Sequence, residues 1–135
     1  MQRTPLPFSF RQAVTLLEMT VVIMVLLALI GMGLFSTRKY SEWRQGRAAS
    51  ESLRDVYTAQ RLYLADNPTT PVANLTGAMI IPYLPNNATA LPVVRSLTGG
   101  ALTIRLTSSP PVFLSGSTVY DPSGSPSDSL WDVGE

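Results

Sequence analysis

The sequence predicts an α+β protein: one long N-terminal α-helix packed against a small antiparallel β-sheet head. Three observations carry this. Residues 19–37 hold no charged side chain; residues 38–66 keep apolar side chains at helical spacing; beyond residue 66, proline, glycine, serine and threonine punctuate short alternating segments.

The helix begins as something lipid would accept. Met19 to Phe35 is apolar apart from Thr20 and two glycines, and with Val14 to Leu17 in front only Glu18 interrupts a run of 22 residues. At about 1.5 Å per residue such a helix crosses roughly 30 Å of hydrocarbon. Leu, Val, Ile and Met fill its whole circumference, with no polar stripe. Gly31 and Gly33 weaken it by about 1 kcal/mol each relative to alanine, so bending or local melting is expected there.

A cleavable signal has a shorter apolar core, lacks an internal acid and ends in a small-residue cleavage site. The length and all-round apolarity of the stretch argue against a buried helix of a small soluble domain. A plain single-pass anchor fits better, although charge does not orient it. Arg3 and Arg11 precede the stretch and Arg38, Lys39, Arg44 and Arg47 follow it, so the positive-inside tendency alone does not place the N-terminus in the cytoplasm.

Glu18 is the anomaly. Near the end of a spanning helix it can snorkel, and a first helical turn favours negative charge. Deeper in hydrocarbon a carboxylate costs about 3 kcal/mol and calls for a cationic partner. No Lys, Arg or His lies among the apolar residues to provide one.

The start of the chain, a polar basic leader, a small residue, V-T-L-L-E-M and then a long apolar helix, resembles the N-terminal processing and methylation segment of type IV pilins and type II secretion pseudopilins. The resemblance implies a leader over residues 1–13, removed by a prepilin peptidase between Ala13 and Val14. Val14 becomes the N-methylated N-terminus, and Glu18 pairs with the new amine of a neighbouring subunit. Alanine and valine stand where the family usually has glycine and phenylalanine. Residues 14–37 would then be a transmembrane and filament-core helix, with Leu16, Leu17, Val21, Val25, Leu27 and Ile30 as packing positions. Inside an apolar bundle the attraction between ammonium and carboxylate is strong, and a helix docked at the wrong height leaves a charge orphaned.

Residues 38–66 continue the helix as an amphipathic half. Ala49, Leu53, Val56, Tyr57, Gln60, Tyr63 and Leu64 form its stripe, with Tyr40, Trp43 and Gly46 leading in. Glu51 and Asp55, with Arg47 and Arg54 nearby, are expected to make surface pairs worth a few tenths of a kcal/mol. Asp66-Asn67-Pro68 stops the helix, because the residue before proline is pushed out of the helical region. Val14 to Asp66 would be one helix of about 53 residues and ~80 Å.

Residues 67–135 form the head. Val72 to Tyr83 suggests a short helical piece in a proline-rich loop. Leu102, Ile104 and Leu106 alternate with Thr103, Arg105 and Thr107 as a half-buried strand. Gly99-Gly100 joins it to Leu91–Leu97, and Ser115-Gly116-Ser117 joins Val112-Phe113-Leu114 to Thr118-Val119-Tyr120, giving two hairpins. Trp131 is the expected anchor of the tail.

Composition narrows the function. The 135 residues carry a formal charge of +1 and contain no Cys and no His, which removes thiolate and imidazole chemistry and disulfides. Serines have no His partner and the head has no Lys base, so no catalytic residues are assigned and no enzyme is expected. Asp121, Asp128 and Asp132 follow no EF-hand spacing, so neither metal nor cofactor is assigned. No nucleic-acid partner is indicated.

The resemblance implies a structural subunit of a type IV pilus or pseudopilus. Its partners would be copies of itself and other pilins, the prepilin peptidase, an inner-membrane assembly platform and, before assembly, membrane lipid. It would sit in a bacterial inner membrane with its N-terminus cytoplasmic, then in an extracellular pilus or periplasmic pseudopilus. The competing expectation is a monomeric, signal-anchored membrane protein with a small extracytoplasmic binding module.

Overall fold

The computed structural model describes residues 9–134. Residues 1–8 and 135, and the side chains of residues 9–14, lie outside what is described; the expected leader falls there only in part, because the backbone of residues 9–13 is already helical, five residues ahead of the expected helix start at Val14. Helix α1 runs from Ser9 to Asp66, and a small antiparallel four-stranded sheet follows it. The layout is α+β. Internal contacts divide the chain into two units, Met1–Tyr40 and Ser41–Glu135.

In the first unit the backbone stays helical through Gly31 and Gly33, where bending or local melting was expected, so the melting does not occur. A glycine weakens a helix by about 1 kcal/mol, less than the cost of leaving backbone amides unpaired in apolar surroundings. No neighbour approaches either position within 4 Å.

In the second unit α1 ends where the sequence stops it. Asn67 donates both its backbone N–H and its Nδ2 to the Tyr63 carbonyl, at 2.9 and 3.0 Å, closing the last turn ahead of Pro68. The proline-rich segment then makes one-turn pieces at Val72–Asn74, Ile81–Tyr83 and Pro85–Asn87, with helix α2 at Gly77–Ile80.

The sheet is a meander in the order β1 (Val94–Arg95), β2 (Ala101–Arg105), β3 (Val112–Ser115), β4 (Thr118–Val119). Pairs Val94↔Leu102, Ile104↔Phe113 and Leu114↔Val119 fix its register. Both expected hairpins form, and their turns use Gly99 (φ 90°) and Gly116 (φ 65°) where a side chain would be strained. β1 is shorter than the expected Leu91–Leu97, since Pro92 has no N–H to give a ladder and Val93 stays exposed.

Two apolar clusters share the buried face of α1. Ala49 and Leu53 pack with Leu102, Phe113, Trp131 and Val133. Val56 and Ala59 pack with Leu75, Ile80, Leu84 and Leu106. Leu53, Val56 and Ile80 are fully buried, each contributing about 1.5–3 kcal/mol relative to exposure. Gln60 is buried between the clusters and donates to the Leu106 and Ser108 carbonyls at 2.8 and 2.9 Å, tying the helix to the end of β2. The expected stripe is correct from Gly46 onward, but Tyr40 and Trp43 do not join it: they are 61% and 50% exposed.

Candidate functional site

The apolar half of α1 is long and apolar enough to cross a membrane, and none of that stretch is buried within the chain. From Leu16 to Phe35 every large apolar side chain is 48–75% exposed. The six expected packing positions Leu16, Leu17, Val21, Val25, Leu27 and Ile30 are all among them. At about 100° per residue they spread over more than half of the circumference, so this half has no single docking stripe. The polar residues inside it are handled locally. Thr20 and Thr37 donate their hydroxyls to the carbonyls of Leu17 and Leu34, at 2.7 and 3.0 Å, which removes their need for an outside partner.

Glu18 has no such device. It is exposed on this surface, and among the described residues no side chain bonds to it. A carboxylate cannot back-bond a carbonyl as a threonine hydroxyl does, because when ionised it has no proton to give. Ala13 and Val14, the other expected site residues, have no described side chains.

The head carries a second feature that the sequence did not reveal. A groove of about 670 Å³ lies between α1 and the tail, lined by Arg54, Tyr57, Arg61, Leu62 and Gly134 among others. Arg54 was expected to make surface pairs with neighbouring acids. Instead its Nε donates to the Val133 carbonyl at 2.8 Å and an Nη to the Ser129 hydroxyl at 2.6 Å, because the tail offers a fixed, partly buried acceptor pair. The Arg61 guanidinium stands 5.7 Å from the Tyr57 ring centre. The seven-residue spacing of Arg47, Arg54 and Arg61 was the available signal that one basic helix face exists here.

Trp131 seats the tail as expected. Its backbone N–H donates to the Gly46 carbonyl at 3.2 Å, and a Cβ on Gly46 would come within 2.9 Å of the indole nitrogen. Tyr120 and Phe113 meet the indole edge-on, with centroids at 5.1 and 6.5 Å. Trp131 holds a left-handed backbone (φ 67°), a conformation costing about 1–2 kcal/mol that burial to 4% exposure offsets.

The tail acids serve its turns. Asp121 accepts from the Ser123 amide and hydroxyl, Asp128 from the Leu130 amide and Asp132 from the Ser129 amide. Burial raises the Asp132 carboxyl above its ordinary range, and a hydrogen bond shared with Asp128 raises it further. Asp128 moves the other way. Its slight desolvation opposes the change, but the Leu130 amide and the Asp132 and Ser123 side chains favour its charged form and hold it low. Among the described residues no three acids converge on a point that a metal would occupy.

Comparison with protein-family models, curated proteins and solved structures yields no match to the chain.

Proposed function

We propose that this chain is a subunit of a type IV pilus or type II secretion pseudopilus, cut between Ala13 and Val14 and assembled by packing of its apolar helix. One observation carries the reading: a single unbroken helix begins as an uncovered apolar rod holding an acid and ends as the core of a small sheet-covered head. A rod apolar on every side is suited first to lipid and then to a bundle of like helices, which replace lipid contact without exposing it to water. Glu18 gives that bundle its register, because the ammonium of a neighbour's Val14 is the cation that the apolar stretch itself lacks. The prepilin peptidase, an inner-membrane assembly platform and other pilins are the partners this reading requires. The head is the part displayed, in the periplasm or outside the cell.

Two measurements test it. Protein extracted from its own membranes should begin at N-methylated Val14; an intact Met1 points to the monomeric anchor instead. Glu18→Ala should insert in the membrane normally yet enter filaments at a small fraction of the wild-type yield. Unchanged filament yield would remove the ion pair from the mechanism.

A further inference from the structure

We propose that Asn87 is an acceptor for an N-linked glycan on the exported head, a proposal that rests on the head lying outside the cytoplasm but not on filament assembly. Two of the four asparagines begin an Asn-x-Thr triplet: Asn74-Leu75-Thr76 and Asn87-Ala88-Thr89. Asn67 is excluded by Pro68, and its amide is already spent on the Tyr63 carbonyl. Asn86 has alanine two residues on.

The structure separates the two triplets. Transfer of a glycan to an amide nitrogen requires that the amide be free, that the hydroxyl two residues on stand on the same side, and that the segment fit an enzyme cleft. At Asn87 the amide and the Thr89 hydroxyl are both exposed, and Ala88 between them is only partly buried against the core. Asn86 and Asn87 both take left-handed backbone (φ 61° and 52°), turning the chain sharply at the surface. Ala88 is extended in the polyproline manner (φ −58°, ψ 135°), and the side chains on either side of it are both exposed. Asn86, Ala88 and Ala90 line a shallow depression of about 220 Å³, whereas Asn87 and Thr89 are outside its lining and exposed. Among the described residues no hydrogen bond engages the Asn87 amide or the Thr89 hydroxyl.

Asn74 is also exposed and Leu75 is likewise extended, but Leu75 is only 4% exposed and belongs to the core cluster with Val56 and Ile80. Lifting that triplet into a cleft pulls a leucine out of the core, so the folded head offers Asn87 and withholds Asn74.

The donor class is an oligosaccharide on a polyprenyl diphosphate. The Asn87 Nδ2 forms a bond to C1 of the first sugar as the C1–O bond to the diphosphate breaks. The lipid diphosphate leaves with that electron pair, and one amide proton passes to a base of the transferase. Thr89 positions the amide by accepting from it.

The test uses protein purified from its own cells. Trypsin releases residues 62–95 as one peptide carrying both triplets, because no Lys or Arg lies between Arg61 and Arg95. Mass spectrometry with electron-transfer fragmentation should find the peptide heavier by one glycan, located on Asn87. Thr89→Ala should return it wholly to the unmodified mass, Thr89→Ser should retain the glycan, and Thr76→Ala should change nothing. An unmodified peptide from cells whose heads are cut by protease added to spheroplasts overturns the proposal alone, as does a mass increment that survives Thr89→Ala. Heads that protease cannot reach even in spheroplasts overturn it together with the export reading.

Discussion

The two halves of α1 have the same backbone and opposite surroundings. In the first half, Leu26, Leu27, Leu29 and Ile30 stay 52–64% exposed; in the second, Leu53, Val56, Ala59 and Gln60 are at 0%. Intrinsic helix propensity does not explain the contrast, since leucine and valine serve in both. Periodicity does. A one-sided apolar stripe can be covered by the chain's own sheet and tail, whereas a rod apolar on all sides would need covering on all sides. The second half is therefore covered within the chain, whereas the apolar side chains of the first are left uncovered.

The sharpest test pairs the same truncation in both halves. Leu53→Ala should destabilise the head by about 2–5 kcal/mol, read from thermal unfolding of the detergent-solubilised full chain by tryptophan fluorescence. Leu26→Ala should change the same transition by less than about 0.5 kcal/mol. Equal losses would erase the distinction. Gln60→Leu should come next, costing about 1–3 kcal/mol because the Leu106 and Ser108 carbonyls lose their buried donor.

Glycine to alanine should reverse its sign between the halves. Gly46→Ala drives a methyl against the Trp131 indole and should cost about 1–3 kcal/mol of head stability. Gly33→Ala meets nothing within 4 Å and should strengthen its half by up to about 1 kcal/mol, seen as greater helicity in micelles by circular dichroism. A stabilised Gly46→Ala would mean that the tail is not held against the helix there.

The smallest effect concerns pH. Because the folded Asp132 carboxyl is raised, its stabilising contribution is full below about pH 4 and is lost as pH rises through its folded value. Asp132→Asn removes that loss, so its melting temperature should exceed the wild type's at pH 7 and the gap should close toward pH 4. A gap independent of pH would show that the Asp128–Asp132 pair is not what titrates.

Much of the fold was legible because its signals are local. Asp66-Asn67-Pro68 ended the helix, Gly99-Gly100 and Gly116 marked the two turns, and the alternation through Leu102 and Leu106 gave the buried side of β2. What stayed hidden depends on residues far apart in sequence. Nothing local to Arg54 says that Val133 will occupy it in place of Glu51. Gly46 did carry a clue, as a glycine inside an apolar stripe, which signals close approach, but its partner was not deducible. Trp43 failed for the opposite reason. Its spacing suited the stripe, yet the clusters begin at Ala49 and nothing of the head's core reaches back to cover it. At the candidate site Glu18 was legible as an acid without a cation, whereas the Arg54–Arg61 groove required the tail to be placed first.

The tie between Arg54 and Val133 spans 79 positions, and that between Gln60 and Leu106 spans 46. Helical turns close within about a microsecond, but loops of this length must be drawn in before the helix's apolar face is covered. The helix is built from local contacts and its cover from distant ones. The apolar face along residues 46–64 is thus completed only by the most distant parts of the chain, so a head cut short before Val133 would leave that face open to water.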